Sequence, residues 1–157
     1  MASKFGGAFE VKISGPDIGK ALARGLQSEI RAGLRQAGRD AVKLLEAQSK
    51  HIRDLGNYQK GWFWTVNGST IVIGNVESHA VYVENGRRAG ATAPPVKAIE
   101  GWVERHLGRK DIAWAVAQSI GKKGIRTRRV MTNPITERWI MKQIRMQVEN
   151  ALDKTMR

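Results

Sequence analysis

The sequence predicts an α+β fold, with a long N-terminal helix, a small antiparallel sheet with a hairpin, two short helices and a C-terminal helix. Three patterns indicate this class: an apolar stripe at helical spacing over residues 17–50, alternating segments around an Asn-Gly pair, and helical periodicity again from residue 95. Helices and strands that are grouped, and do not alternate singly, are typical of α+β folds. The 157-residue length suits a single domain over 1–157, with its core at about 8–153.

A short strand and one long helix are predicted in the first third of the chain. Phe9, Val11 and Ile13 alternate with polar residues, as in a half-buried strand. From Ile18 onward, apolar residues recur at a spacing of about four, which predicts an amphipathic helix over about 17–50. Such a helix cannot bury its stripe alone, so the sheet or neighbouring subunits must cover it.

A β-hairpin is predicted around Asn67-Gly68, because this dipeptide is the strongest short signal for a two-residue turn. The predicted strands are 62–66 and 69–73. The predicted register pairs Trp64 with Ile71 and Trp62 with Ile73.

A third strand is predicted at 80–84, directly after the hairpin. Three aromatic residues in this region, Trp62, Trp64 and Tyr82, are expected in the core more than at a contact surface.

Proline, asparagine and glycine set the expected bounds of three further helices. The first covers about 95–107, from Pro94-Pro95 to Gly108. The second runs from a cap at Asp111 to Gly121, with Ile112, Val116 and Ile120 facing inward. The third covers about 134–155, with Asn133 as N-cap and Pro134 at the first helical position.

The chain is strongly basic, with 27 Lys and Arg against 14 Asp and Glu and a net charge of +13. A field of this sign attracts polyanions, so nucleic acid, an anionic membrane or an acidic protein are the partner classes that it admits. No run of about 18 apolar residues is present, which excludes a membrane-spanning helix and predicts no membrane partner. The chain has no cysteine, which excludes disulfides, a thiol nucleophile and a cysteine zinc site.

No pattern typical of an enzyme is present. His51, His79 and His106 form no metal-ligand spacing, and the chain lacks a P-loop, a dinucleotide fingerprint and a nucleophile elbow. Glu100 and Glu104 lie one helical turn apart, where such pairs usually face solvent. We therefore predict no catalytic residue, no metal site and no cofactor.

The segment Gly121-Lys122-Lys123-Gly124 is similar to the G-x-x-G loop with which KH domains clamp a nucleic-acid backbone. Such a loop leads straight into a helix. The β-branched residues that follow Gly124, and Pro134 beyond them, disfavour one here. A KH-like or other basic nucleic-acid-binding module remains an alternative function.

A basic cluster follows the second of these helices and is the main candidate site. No aromatic residue interleaves it, so contact with a duplex backbone, without sequence reading, is favoured over stacking on bases. If every member met a phosphate, the log-log salt slope of binding would be roughly −4 to −5. An acidic protein partner is the competing hypothesis. The cluster consists of Lys122, Lys123, Arg126, Arg128 and Arg129.

Four short segments occur in an order that is typical of one viral family. The sequence His-Ala-Val-Tyr-Val-Glu-Asn-Gly at 79–86 precedes a proline-led, tryptophan-bearing segment at 94–103. An alanine-rich helix at 112–117 and a stretch at 128–134 that enters the closing helix come next. This order resembles the tail-completion, or head-tail joining (neck), family of long-tailed bacteriophages. The phenylalanine usual in the last stretch is absent, and Val130 or Met131 stands in its place.

The resemblance implies a non-enzymatic structural protein of the virion, assembled in the host cytoplasm and located at the head-tail interface. It implies a hexameric ring between the connector or stopper and the tail tube or terminator, with non-specific contact to genomic DNA passing through the lumen. A tail-terminator ring is the alternative role. The resemblance also implies inter-subunit contacts through two loops, with Glu84, Asn85, Gly86, Arg87 and Arg88 in the first and Ile125, Val130 and Met131 in the second.

Overall fold

The computed structural model describes residues 9–14, 24–52 and 55–155. The chain forms two compact units, the first comprising residues up to 80 and from 130 onward, the second residues 81–129. The prediction of a single domain stays a prediction. In chain order the elements are β1 (Phe9–Ser14), α1 (Arg24–Gln48), a short 3-10 turn (Ser49–His51), α2 (Asn57–Lys60), β2 (Trp62–Asn67), β3 (Thr70–Asn75), α3 (Ala80–Asn85), α4 (Val96–Leu107), α5 (Ala113–Lys123) and α6 (Pro134–Thr155).

The fold class is α+β, which confirms the prediction. In the first unit a three-stranded antiparallel sheet, ordered β1-β3-β2, lies with the two long helices α1 and α6. The predicted first strand and C-terminal helix are both present with nearly the predicted bounds. The first part of the predicted long helix, at 17–23, lies outside the described residues.

From Ile30 onward, helix α1 buries the predicted apolar stripe against α6 and β2. Small residues on this stripe let the neighbouring elements approach closely. A Cβ atom added to Gly33 would lie 2.7 Å from the backbone oxygen of Gln147 on α6. A Cβ atom added to Gly38 would lie 2.7 Å from the ring of Trp64 on β2. The buried members of the stripe are Ile30, Leu34, Ala37, Ala41 and Leu45.

The hairpin forms where it is predicted, but the predicted register is wrong by two residues. Trp64 lies opposite Ile73 and Asn67 opposite Thr70, so the turn residues are Gly68 and Ser69. Gly68 has φ +61, and outside glycine Arg129 alone among the described residues has a positive φ. A turn with glycine alone at positive φ in its first position is the type II′ turn, and it spares Asn67 the left-handed conformation that a type I′ turn requires.

The predicted strand at 80–84 is helix α3 instead. Both edges of the central strand β3 are already occupied, by β1 and β2. Ala80 and Glu84 are buried while Tyr82 between them is exposed, which is burial at i and i+4 and not on one strand face. The expectation that Tyr82 is a core residue is therefore wrong, whereas Trp62 is buried as expected.

A polar network connects the hairpin to the end of α1. The indole N–H of buried Trp62 donates to Ser49 Oγ at 2.9 Å, and Ser49 Oγ donates to the Leu45 carbonyl at 2.6 Å. Asn75 Nδ2 donates to the Tyr58 carbonyl at 2.8 Å. These bonds satisfy polar atoms that would be costly to bury alone.

The predicted ends of the later helices are partly right. Helix α4 ends at Gly108 and Asn133 caps α6, where Asn133 Oδ1 accepts a bond from the Ile135 N–H at 2.9 Å. Helix α5 has no side-chain cap, because Ile112 and not Asp111 occupies its N-cap position, and Asp111 pairs with Arg109. It continues past Gly121 to Lys123.

The inward face of α5 is offset from the predicted one. Its buried residues are Ala113, Ala117 and Gly121, and the predicted inward residues Ile112, Val116 and Ile120 are only half-buried. Gly121 is buried beside the backbone of Ala91 and Ala93, where an added Cβ atom would lie a tight 3.1 Å from the Ala91 oxygen.

Candidate functional site

The second unit holds the predicted basic cluster at the C-terminal end of α5 and on the loop that follows, and this loop is fastened to another loop. Arg87 and Ile125 form an antiparallel bridge, with Arg87 N donating to the Ile125 carbonyl at 2.8 Å and Ile125 N to the Arg87 carbonyl at 2.9 Å. Gly90 N donates to the Gly121 carbonyl at 2.9 Å. Residues 86–92, the first loop, and residues 124–129, the second loop, are therefore neighbours in space, although α4 and α5 separate them in sequence.

Two glycines permit this close approach. Gly86 (φ +69) lies so near the second loop that an added Cβ would be 2.5 Å from the Ile125 oxygen. Gly124 (φ +74, ψ −169) lies against the Arg87 carbonyl and the Ala89 nitrogen in the same way. This backbone conformation at Gly124 is essentially restricted to glycine.

The second loop is also fastened to the end of α3. Arg128 N donates to the Val83 carbonyl at 2.8 Å, and Thr127 Oγ1 donates to the Glu84 carbonyl. The backbone of the basic segment thus has defined partners on both sides, although its cationic side chains point outward. Cations held on a fixed backbone lose less entropy on binding than cations on a free tail.

All five predicted cations are exposed, as is Arg88 on the facing loop. None of these six side chains forms a salt bridge with a residue in the described ranges. Residues 81–129 carry eleven Lys and Arg against four Asp and Glu, so this unit holds more than half of the net charge in less than a third of the chain.

Arg87 differs from the other cations because it is engaged within its own loop. Its guanidinium carbon lies 5.4 Å from the centroid of the Tyr82 ring, a cation–π distance, and Nη2 donates to the Thr92 carbonyl. Arg87 therefore shapes the loop, and Arg88 is the cation that this loop presents to solvent.

The residues predicted for inter-subunit contact fall into two groups. Asn85, Arg88 and Ile125 are exposed, and Gly86 and Arg87 are half-buried. The side chains of Glu84, Val130 and Met131 are buried within the chain, so they are not available to a neighbour in this conformation. The accessible ones lie beside the cations, and their role between copies stays a prediction.

The structure does not support a KH-type loop. Gly121 is inside helix α5 and Gly124 is its C-terminal cap, so the four residues do not form a free loop between helices. Residues 125–133 are not helical, and Ile125 pairs with Arg87 in an extended bridge. The β-branched residues after Gly124 give the physical reason.

Exposed apolar side chains on α4 and at the start of α5 are a feature that the sequence interpretation missed. Trp114 is 64% exposed, and Trp102 and Leu107 are 41% and 47% exposed. The ring of Trp102 stacks on His106 at 4.6 Å between centroids, with the planes at 17°. The signal available in the sequence was the spacing of the small residues Ala113, Ala117 and Gly121, which recur every four positions. When these residues face inward, Trp114 lies on the exposed side of α5.

Four charged residues near these side chains form two ion pairs. Arg109 Nη2 lies 2.6 Å from Asp111 Oδ2, and Lys110 Nζ lies 3.1 Å from Glu104 Oε2. The hydrogen bond from Arg109 lowers the pKa of Asp111 below its ordinary value, and the same bond raises the pKa of Arg109. Both groups are in solvent, so this pair orients the α4–α5 turn more than it stabilises it.

Among the described residues, no group of three or more His, Cys, Asp or Glu side chains is placed to hold a metal ion. No helix in the same ranges combines the length and apolar character needed to cross a membrane.

Residues 16–86 match the model of one protein family, described as "Bacteriophage HK97-gp10, putative tail-component". The match covers a little under half of the chain and includes α1, the hairpin and α3. It confirms the predicted resemblance to a phage tail and neck family. No curated protein matches the chain. No solved structure matches it either.

The class that the match supports is a structural component of a bacteriophage tail. A protein of this class is part of the virion and interacts with other structural proteins of the phage. The matched segment ends before the basic loop at 124–129 and before the exposed tryptophans of α4 and α5. The surfaces described above therefore have to be interpreted from their own geometry.

Proposed function

We propose that this chain is a non-enzymatic structural protein of the neck of a long-tailed phage. In this proposal it forms a hexameric ring that joins the head connector to the tail tube, and genomic DNA passes through the lumen. The tail-component match supports a tail-related role, and the order of the C-terminal segments supports the neck as its position.

The observation that carries this proposal is the arrangement of charge on the two fastened loops. Together, residues 84–92 and 121–129 carry seven Lys and Arg and one acidic residue, the buried Glu84. If this surface were repeated around a ring, it would line the lumen with cations at one level along the ring axis, where a polyanion could pass.

The same charge explains why DNA suits this surface better than another copy of the chain. Copies carrying +13 each repel one another, and the repulsion is largest where the cations are densest. Duplex DNA carries one negative charge per roughly 1.7 Å of axis, so it offsets this repulsion along the whole lumen. No aromatic residue interleaves the five cations, which favours contact with the phosphate backbone over stacking on bases.

The experiment uses the phage that encodes this chain, with a nonsense mutation in its gene. A neck protein predicts that the mutant makes DNA-filled heads and complete tails that fail to join. Expression of the wild-type chain in the host should restore joined, infectious particles. Normal joined particles without the protein would contradict the proposal.

The role of the basic loops is tested by complementing the mutant with a variant in which five cations are neutralised, K122Q, K123Q, R126Q, R128Q and R129Q. The matched control removes five exposed charges from α1 and α6, at Arg31, Arg35, Lys43, Lys142 and Arg145. The loop variant should join heads to tails but lose packaged DNA or infectivity by at least tenfold, and the control should not. Equal behaviour of the two variants would argue against a DNA-facing role.

Other results would favour the alternatives. Tails of uncontrolled length in the nonsense mutant would indicate a tail-terminator ring. Normal particles, together with tight and sequence-specific binding of the isolated chain to nucleic acid, would indicate a binding module. An acidic protein partner would appear as joining that fails in the loop variant while DNA retention is unchanged in the few joined particles.

A further inference from the structure

Two adjacent arginines on the first loop have different surroundings. The side chain of Arg88 is exposed, and none of the ion pairs within the described ranges involves it. The side chain of Arg87 is half-buried and engaged within the chain. Two cations of equal charge, one residue apart, therefore differ in what they offer to a ligand.

The guanidinium of Arg87 is occupied on several sides. Its Nη2 donates to the Thr92 carbonyl, and its central carbon lies 5.4 Å from the centroid of the Tyr82 ring. Its Nε is buried and has no hydrogen-bond partner among the described residues. A phosphate cannot reach this buried nitrogen, and the rest of the group would have to give up its present contacts to bind one.

The backbone of Arg88 lies against the second loop. A Cβ atom added to Gly124 would lie 3.0 Å from the carbonyl carbon of Arg88 and 2.8 Å from the nitrogen of Ala89. Gly124 directly follows Lys123 and is two residues before Arg126, and both of these cations are exposed. Arg88 therefore belongs in space with the predicted basic cluster, although α4 and α5 separate it from that cluster in sequence.

We propose that Arg88 is a sixth phosphate-contacting residue of the basic loops, and that Arg87 is a positioning residue which holds it there without contacting DNA. This inference rests on the proposed DNA-facing role of the loops. The resemblance to neck proteins places both arginines in one inter-subunit loop, whereas their surroundings give them separate roles. Arg88 presents a free guanidinium, whose planar fork can donate two parallel hydrogen bonds to phosphate oxygens.

The positioning role of Arg87 follows from what its side chain connects. Tyr82 precedes Arg88 in the chain and Thr92 follows it, so Arg87 joins the two sides of the loop that carries Arg88. A guanidinium can stack on a ring and donate in a fixed direction at the same time, which an ammonium group cannot do. Fixing this loop lowers the conformational entropy that Arg88 loses when it binds.

The test is binding of the full chain to a short duplex of arbitrary sequence, measured by fluorescence anisotropy at several salt concentrations. Each phosphate contact contributes about 0.9 to the log-log salt slope. Arg88→Gln should therefore make the slope shallower by about 0.9 and weaken binding about eightfold at 0.1 M salt relative to 1 M. Arg88→Lys should retain the slope, because it keeps the charge.

The matched control is Arg87→Gln, which removes the same charge one residue away. It should leave the slope unchanged and weaken binding about two- to tenfold at every salt concentration, because Arg88 is then less ordered. Arg87→Lys should show the same loss although it keeps the charge. A second control outside the loops is Arg31→Gln on α1, which should change neither quantity. Circular dichroism establishes that each variant is folded.

Three outcomes overturn the inference. Equal changes of slope in Arg88→Gln and Arg87→Gln would mean that DNA responds only to the net charge of the loop. An unchanged slope in Arg88→Gln would remove the sixth contact but leave the five cations of the second loop and α5 as the DNA surface. A wild-type chain that does not bind the duplex would contradict the DNA-facing role as well, whereas the neck position is decided by the separate phage complementation experiment.

Discussion

At Gly124 the backbone has φ +74 and ψ −169, and the carbonyl of Arg87 already occupies the space where a side chain would begin. Single residues of this kind hold the candidate site together. Gly86 and Gly124 let the two loops approach, and Arg87 fixes the first loop over Tyr82. The cations themselves were predictable from the sequence as a run of Lys and Arg. Their junction with 86–92 was not, because that contact joins segments separated by two helices.

We expect Gly124→Ala to destabilise the fold by about 2–4 kcal/mol, because a Cβ adds a clash to a conformation that other residues rarely adopt. The matched control is Gly90→Ala, since Gly90 has φ +79 but nothing within 4 Å of an added Cβ. The control should cost about 1–2 kcal/mol, the strain alone. Urea denaturation of the two variants checks the difference. Equal costs would mean that the loops do not approach as closely as described.

The Arg109–Asp111 pair predicts a titration that can be measured directly. Asp111 should titrate below the ordinary range for aspartate, because the hydrogen bond from Arg109 lowers its pKa. Arg109→Gln should raise the pKa of Asp111 toward its ordinary value. Since the folded pKa is lowered, the stabilising effect is present above the unfolded pKa near 4 and is lost as pH falls through the folded pKa. NMR titration of the carboxyl carbon checks this, and a normal midpoint in the wild type would contradict the pair.

Among the elements, helices were predicted better than strand pairing. The stripe of α1 and the Asn133-Pro134 start of α6 are local signals that tertiary structure left unchanged. The hairpin register depended on which of two adjacent dipeptides forms the turn, and both contain Gly68. Residues 80–84 form α3 and not the predicted strand. Positions 80 and 84 fall on the same face in both a strand and a helix, so their spacing does not distinguish the two.

The register makes a sharp prediction at Asn67. In the observed hairpin Asn67 is a strand residue opposite Thr70, so Asn67→Thr should be neutral or stabilise by up to about 1 kcal/mol. In the alternative Asn-Gly turn, the same change would place a β-branched residue at positive φ and cost about 1–2 kcal/mol. Thermal denaturation of Asn67→Thr distinguishes the two. A clear loss of stability would contradict the Gly68-Ser69 turn.

For the whole molecule, the distribution of charge is the property that connects structure to the proposed role. The net charge of +13 was evident from composition, but composition does not say where the charge lies. The structure concentrates it on two loops at one end of α5 and leaves balanced charge with exposed tryptophans at the other. In the proposed neck, the end with the dense cations is the one suited to a polyanion.

The most direct test of the neck proposal is cryo-electron microscopy of the head-tail junction in the phage that encodes this chain. The account predicts a ring between connector and tail tube into which copies of this chain fit, with residues 86–92 and 124–129 lining the lumen beside DNA density. A neck without density for this chain, or a ring whose basic loops point away from the lumen, would contradict it.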